Sequence, residues 1–195
     1  MTTYNNFVNT NKYYLLHATT INNLASIIKS GYIKKVEQLD NYEEQFGSVR
    51  GRIFLSMQAE KLKNIKVSYD MVILLHPEIM FDRGVLFNKG WGYNCGFIKI
   101  KTSDTTKEKT KKLKKFVKYL EDPDLPPILK GWGLKEHEIE IKKQVDIKKH
   151  MVGIICNAPK ETYDKIKKLL KLCGYDVPVF NTNVPPDYNE LNITL

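Results

Sequence analysis

Tyr13-Tyr14-Leu15-Leu16-His17-Ala18-Thr19 is the stretch on which the reading of this chain turns. An apolar run that predicts a strand over 13–18 ends on a histidine and a small residue, then meets a pair of threonines. Directly after it, Ile21, Leu24, Ala25, Ile27 and Ile28 recur at helical period, which predicts a helix over 21–30. Thr19 or Thr20 supplies a hydroxyl able to cap its first turn, and Gly31 supplies the residue that tolerates positive φ at its end. A strand that delivers a histidine to the mouth of a capped helix is a rigid mount for a polar group.

Outward from that point, Arg50-Gly51-Arg52-Ile53-Phe54-Leu55-Ser56 contains a second strand, with an aromatic at its centre. Ala59 to Lys66 predicts a helix, and Met71-Val72-Ile73-Leu74-Leu75 a buried strand stopped by His76-Pro77. Phe97 to Lys101 alternates as a half-buried strand, and 105–120 sets Leu113, Phe116, Val117 and Leu120 against many lysines as a helix with a narrow apolar face. The prolines of Glu121-Asp122-Pro123-Asp124-Leu125-Pro126-Pro127 exclude helix and central strand, so this is a loop. Strands follow over 136–142 and 151–156, a helix over 159–173, and a short strand near 176–180. Irregularly interspersed strands and helices, without a strict βαβ alternation, predict an α+β fold with mostly antiparallel sheet. One domain over 1–180 with a loosely held tail at 181–195 is the expected organisation.

With 195 residues and 42% hydrophobic content, the chain can bury one sizeable core. No apolar run reaches the roughly 20 residues of a membrane span, so no membrane partner is expected. The first residues lack a basic segment and an apolar core, and the three cysteines, Cys95, Cys156 and Cys173, are odd in number and widely spaced. Both features fit a reducing cytoplasmic compartment. The formal net charge of +9 favours polyanionic partners, namely nucleic acid, nucleotide phosphates or an acidic protein surface. A lysine-rich composition alone produces such a surplus, so the sign names a class of partner and no more.

Glu136-His137-Glu138-Ile139-Glu140-Ile141 is the sharpest feature after His17. Alternation in a strand sets its three carboxylates on one face, about 6–7 Å apart. Such a face is costly unless wetted or matched, so it opens on solvent, on a cleft or onto lysines. The histidines and cysteines have no metal-ligand spacing, and Walker, GxGxxG and GxSxG patterns are missing from the sequence, so no metal is expected.

A strand-end His, an aromatic strand and a late strand-borne Glu, in that order, resemble the ADP-ribosyltransferases that bind NAD through His, an aromatic and Glu, of the poly(ADP-ribose) polymerase-like and toxin-type kinds. The resemblance covers 13–156 and implies a split, clamp-like sheet. It implies that His17 and Thr19 orient the nicotinamide ribose, with Ala18 standing where the family carries Gly and its backbone binding the nicotinamide amide. Phe54 takes the place of an aromatic, usually Tyr, that stacks on nicotinamide, and it keeps the π-face. Ser56 and Arg50 join the NAD-side candidates, Arg50 or Arg52 as a match for the pyrophosphate. Glu138 is implied to stabilise the oxocarbenium-like sugar as nicotinamide leaves. The resemblance implies that Glu136 handles the acceptor, and Trp132, in a loop before the glutamates, is a residue able to stack on it. The implied activity is mono-ADP-ribosyl transfer from NAD to a nucleic acid, such as single-stranded DNA, or to a protein acceptor. The alternatives are an NAD glycohydrolase, an RNA 2′-phosphotransferase of the same fold, and a non-catalytic basic module that binds nucleic acid.

Each candidate also has a plain reading. His17 suits a histidine bonded to a backbone carbonyl at a strand end, Phe54 a core aromatic, the glutamates a solvated edge strand, and Trp132 an anchor that pins a loop to the core.

Overall fold

The computed structural model describes residues 13–35, 52–59, 70–82, 84–88, 97–120 and 138–181. Ten strands and five helices fall within them: β1 Tyr13–Thr19, α1 Ile21–Ser30, β2 Tyr32–Ile33, β3 Ile53–Ala59, β4 Met71–Leu75, α2 Ile79–Asp82, β5 Val85–Asn88, β6 Phe97–Ile100, α3 Thr106–Leu120, β7 Glu138–Ile141, β8 Val145–Asp146, α4 Ile147–His150, β9 Met151–Cys156, α5 Lys160–Leu172 and β10 Val179–Asn181. Most of the expected strands and helices stand, with ends moved by up to three residues. One difference is at Ala59, which continues β3 instead of opening a helix; a strand already paired with β1 at that residue extends the ladder. The short helices α2 and α4 are two more differences. The rest of that predicted helix, the 121–135 loop and the tail from 182 lie outside the described residues. No helix among the described residues is long and apolar enough to cross a membrane.

Eight strands form one sheet in the order β10-β9-β4-β1-β3-β7-β5-β6, and β2 pairs with β8 in a separate ribbon. Every pairing is antiparallel except that of β10 with β9. This is the mostly antiparallel α+β architecture expected from the sequence.

The helices share one side of the sheet. Leu15, Ile73 and Ile154 from the β1 half meet Leu24 and Ile28 of α1 and Ile166 and Leu170 of α5. Ile53, Leu55, Ile139, Ile141, Val85, Ile98 and Ile100 from the other half join Leu113 and Phe116 of α3 in the same continuous core. The opposite side differs along its length. Leu16, Val72, Leu74 and Ile155 make a small second apolar cluster there, whereas β3, β7 and β6 set Phe54, Glu140 and Lys99 on that side.

Local chemistry fixes the helices that brace the sheet. Thr20 accepts the Asn23 N–H at 3.3 Å, and Gly31, at φ 77°, donates its N–H to Ile27 O at 2.9 Å. α3 opens with a reciprocal cap: Glu108 Oε2 accepts the Thr105 N–H at 2.8 Å, and Thr105 Oγ1 accepts the Glu108 N–H at 3.3 Å. The C-terminal end of α1 is held from two further directions. Ile147 donates its N–H to Gly31 O at 3.0 Å, and the Tyr175 hydroxyl donates to Ile28 O at 3.3 Å.

Candidate active site

The register of three strands defines the site. β1 pairs with β3 from Tyr13↔Ala59 to Leu16↔Ser56. Beyond Leu16, β1 continues beside β4 as far as Thr19↔Met71, and β3 continues beside β7 as far as Ile53↔Ile141. The β1–β3 ladder therefore ends at the residue before His17, while each strand goes on with its outer neighbour. The sheet opens into two leaves at this point, which is the split that the resemblance implied.

His17 stands where the leaves part. Its Nδ1 lies 3.2 Å from the carbonyl oxygen of Phe54. A carbonyl only accepts, so Nδ1 carries the proton and Nε2 is left as an acceptor. Burial pushes the His17 pKa below its ordinary value, partly offset by the Phe54 carbonyl. The ring is neutral at neutral pH, with a lone pair available to a hydroxyl. Ala18 is exposed, and Thr19 is buried in the strand end, its backbone paired with Met71. Phe54 is half-buried on the open side of the sheet. Both the plain and the functional readings of His17 thus describe the same bond: the backbone carbonyl sets the tautomer that frees the other nitrogen.

Glu138 begins β7 and is register-paired with Ser56, which is itself paired with Leu16. The backbones of Leu16, Ser56 and Glu138 form one row across three adjacent strands, next to His17, and span about 10 Å. Three segments far apart in the sequence converge there. Arg50, Trp132 and Glu136 lie outside the described residues.

Two residues along from that row, Glu140 is paired with Phe54. Glu140 is 4% exposed and forms an ion pair with Arg52, the residue just before β3. The expected matching of the carboxylate face is met here by an arginine, so Arg52, rather than standing as one of two equivalent flanking cations, is committed to Glu140. Beyond the pair lies a cavity of about 360 Å³ lined by Arg52, Glu140, Lys142, Leu86, Lys99 and Lys101, with Gly84 and the Thr102–Ser103 turn at its margin. Sequence reasoning did not single out Lys99, Lys101 and Lys142. The signal was available in strand parity, because Arg52-x-Phe54, Glu140-x-Lys142 and Lys99-x-Lys101 each alternate with buried residues. Among the described residues no three His, Cys, Asp or Glu side chains are grouped to hold a metal ion.

Comparison with known proteins gives a family and a fold. A family model described as "Family of unknown function (DUF5846)" matches residues 10–123. Uncharacterized protein R11 of Acanthamoeba polyphaga mimivirus is 31% identical over 156 residues, which are 78% of this chain and 58% of that protein. The chain thus spans little more than half the length of this relative. Among solved structures, Thermus sp. 2.9 DarT in complex with carba-NAD+ superimposes with a TM-score of 0.58 at 11% identity, covering 86% of this chain and 94% of that one. The same Thermus protein in complex with ADP-ribosylated single-stranded DNA gives a TM-score of 0.57 at 10% identity, covering 86% and 93%. At these identities the likeness shows the fold, which is ADP-ribosyltransferase-like.

Proposed function

The chain belongs to the family of unknown function matched by its residues 10–123, and from its cleft we propose that it is a mono-ADP-ribosyltransferase using NAD as co-substrate, with a nucleic-acid acceptor favoured over a protein one. The observation that carries this reading is the parting of β1 and β3 after Leu16↔Ser56, with His17 Nδ1 bonded to Phe54 O across the gap. The carba-NAD+ and the ADP-ribosylated single-stranded DNA bound by Thermus DarT, a protein of the same fold, support it.

The described residues take their roles from their strand positions, and Glu136 and Trp132, which lie outside the described residues, take theirs from the family resemblance. Neutral His17 accepts a hydroxyl of the nicotinamide ribose at Nε2, and the Phe54 bond prevents the ring from turning. Thr19 and the exposed backbone at Ala18 complete this side, with Ser56 beside them. The half-buried Phe54 ring offers a face to the nicotinamide. Glu138 opposes the positive charge that develops on the ribose as the glycosidic C–N bond breaks and nicotinamide departs with the bonding electrons. A nucleophilic oxygen or nitrogen of the acceptor then bonds to the same ribose carbon. Its proton passes to Glu136 or water, and Trp132 holds the acceptor.

The test is nicotinamide release from NAD by the purified chain, with and without single-stranded DNA, RNA or protein acceptors. Release that depends on one acceptor is expected. Glu138→Gln is expected to keep the NAD-induced thermal shift and to lower release about 10²–10³-fold, the size of effect seen when one charge-stabilising group is removed. Unchanged release in that variant would sink the mechanism. The lysines that line the cavity beyond the Arg52–Glu140 pair favour one second reading, a nucleic-acid-binding module without turnover, and absence of both release and NAD-induced stabilisation would put it first.

A further inference from the structure

We propose that the cavity between Arg52, Glu140, Lys142, Lys99 and Lys101 is a phosphodiester subsite that holds the backbone of a single-stranded nucleic acid. The inference rests on the transferase reading only for what the bound strand is presented to; phosphate binding itself stands on the cavity.

The sheet places the cations. Lys99 lies opposite Leu86, Leu86 opposite Glu140, and Glu140 opposite Phe54, so β6, β5, β7 and β3 form one row of side chains. Arg52, Lys142 and Lys101 belong to the next row on the same side and line the same cavity. The opposite face of these strands is buried in the core against α3, so this face is the one they present outward. Lys99, Lys101 and Lys142 are exposed, as are Thr102 and Ser103 at the rim. The carboxylates nearby do not cancel them. Glu140 is taken by Arg52. Asp104 is taken by Lys112 Nζ at 2.6 Å, with the Lys101 N–H also donated to it at 2.6 Å. Those last two contacts also fix the turn that forms the rim.

Size and spacing select the occupant. A cavity of about 360 Å³ has the size of a nucleotide unit. Lys99 and Lys101, two residues apart on one strand face, are about 7 Å apart, a repeat of charge that suits consecutive phosphates. Three strand spacings of about 4.8 Å separate β6 from β3, so these lysines lie roughly 14 Å from the strand that borders the cleft. A chain of phosphates covers that interval, where a single diphosphate meets one end of it. The row through Glu140 ends on Phe54, so a strand held here is delivered to the mouth of the cleft.

The experiment compares the intact chain with the triple variant Lys99→Ala, Lys101→Ala, Lys142→Ala, reading fluorescence anisotropy of a labelled single-stranded oligothymidine across a salt series. Neutralising three phosphate contacts is expected to reduce the slope of log affinity against log salt by about 2 and to weaken binding tenfold or more at low salt. A control triple variant at exposed α5 positions, Lys165→Ala, Lys168→Ala and Lys171→Ala, removes equal charge and is expected to change binding by less than about threefold. The NAD-induced thermal shift is read in parallel and is expected to persist in the cavity variant. Unchanged oligonucleotide binding in that variant, an equal loss in the α5 control, or no binding by the intact chain would each overturn the proposal. Loss of the NAD shift in the cavity variant would also overturn it, by assigning the cations to the NAD diphosphate. Oligonucleotide binding through these lysines in a chain that releases no nicotinamide would leave the subsite standing and remove the transferase reading.

Discussion

The two leaves of the sheet share one helical layer and one core, yet they treat their other face in opposite ways. In the leaf built from β1, β4 and β9, Leu16, Val72, Leu74 and Ile155 close a second apolar cluster. In the leaf built from β3, β7, β5 and β6, the equivalent face carries Phe54, Glu140, Lys99 and an Arg52–Glu140 ion pair. A leaf that is apolar on both faces gains stability from each residue, whereas the charged leaf maintains an ion pair whose desolvation offsets most of its attraction. Charge is retained at such a cost on one leaf only, next to the point where the β1–β3 ladder ends.

The largest expected effect tests the apolar leaf. Ile73, fully buried and register-paired with His17, should lose about 4 kcal/mol of stability on change to Ala, within the range for large-to-small core substitutions; chemical denaturation measures it, and a cost below about 1 kcal/mol would contradict the packing described. Next is the charged leaf. Arg52→Ala leaves Glu140 buried without its partner and should cost about 3 kcal/mol, near the lower end for a broken buried pair because Arg52 is itself 25% exposed. Pairing that change with Glu140→Leu should recover most of the loss, since an apolar replacement of a buried pair is close to neutral. Failure of the double variant to recover would show that the pair is needed for packing and not merely tolerated.

A smaller effect lies at the junction of the leaves with the helical layer. Thr20→Ala removes the acceptor of the Asn23 N–H and should cost about 1 kcal/mol, visible as a modest drop in Tm. The smallest concerns pH. Burial lowers the pKa of His17, and burial likewise lowers that of His76 against the opposing charge of Glu78. Both bind protons more readily in the unfolded chain, so their contribution is complete above the ordinary histidine pKa of about 6.5 and is lost as pH falls below it. Stability should therefore decline from pH 7 to 5.5. His17→Phe should flatten that decline, and an unaltered profile in the variant would place the titration elsewhere.

Much of this frame was legible in the chain. Helical spacing from Ile21 to Ile28, between a threonine and a glycine, is enough to specify α1 and both its ends. The uninterrupted run Met71–Leu75, with its β-branched residues and the His76-Pro77 stop, reads as a strand buried on both faces, as it is. Ala59 is not legible as strand because its local surroundings favour helix, while the β1 partner that keeps it extended is Tyr13, remote in sequence. The four-residue helices α2 and α4 are hidden for a related reason: one turn shows no period, and α4 depends on Asp146 accepting the Lys148 and Lys149 N–H groups at 2.9 and 3.3 Å.

His17, Phe54 and Glu138 were each visible as residue types at strand positions, but not as neighbours. Local pattern determines which residues form strands and which face of each is apolar, because period and polarity are properties of consecutive residues. Strand order and register set the rest: that β3 lies between β1 and β7, that the β1–β3 ladder stops at Leu16↔Ser56, and that Glu140 meets Arg52 and not one of the many lysines. Those depend on contacts between segments far apart in the chain, and only the packing of the whole sheet against one helical layer decides among the registers that the sequence permits.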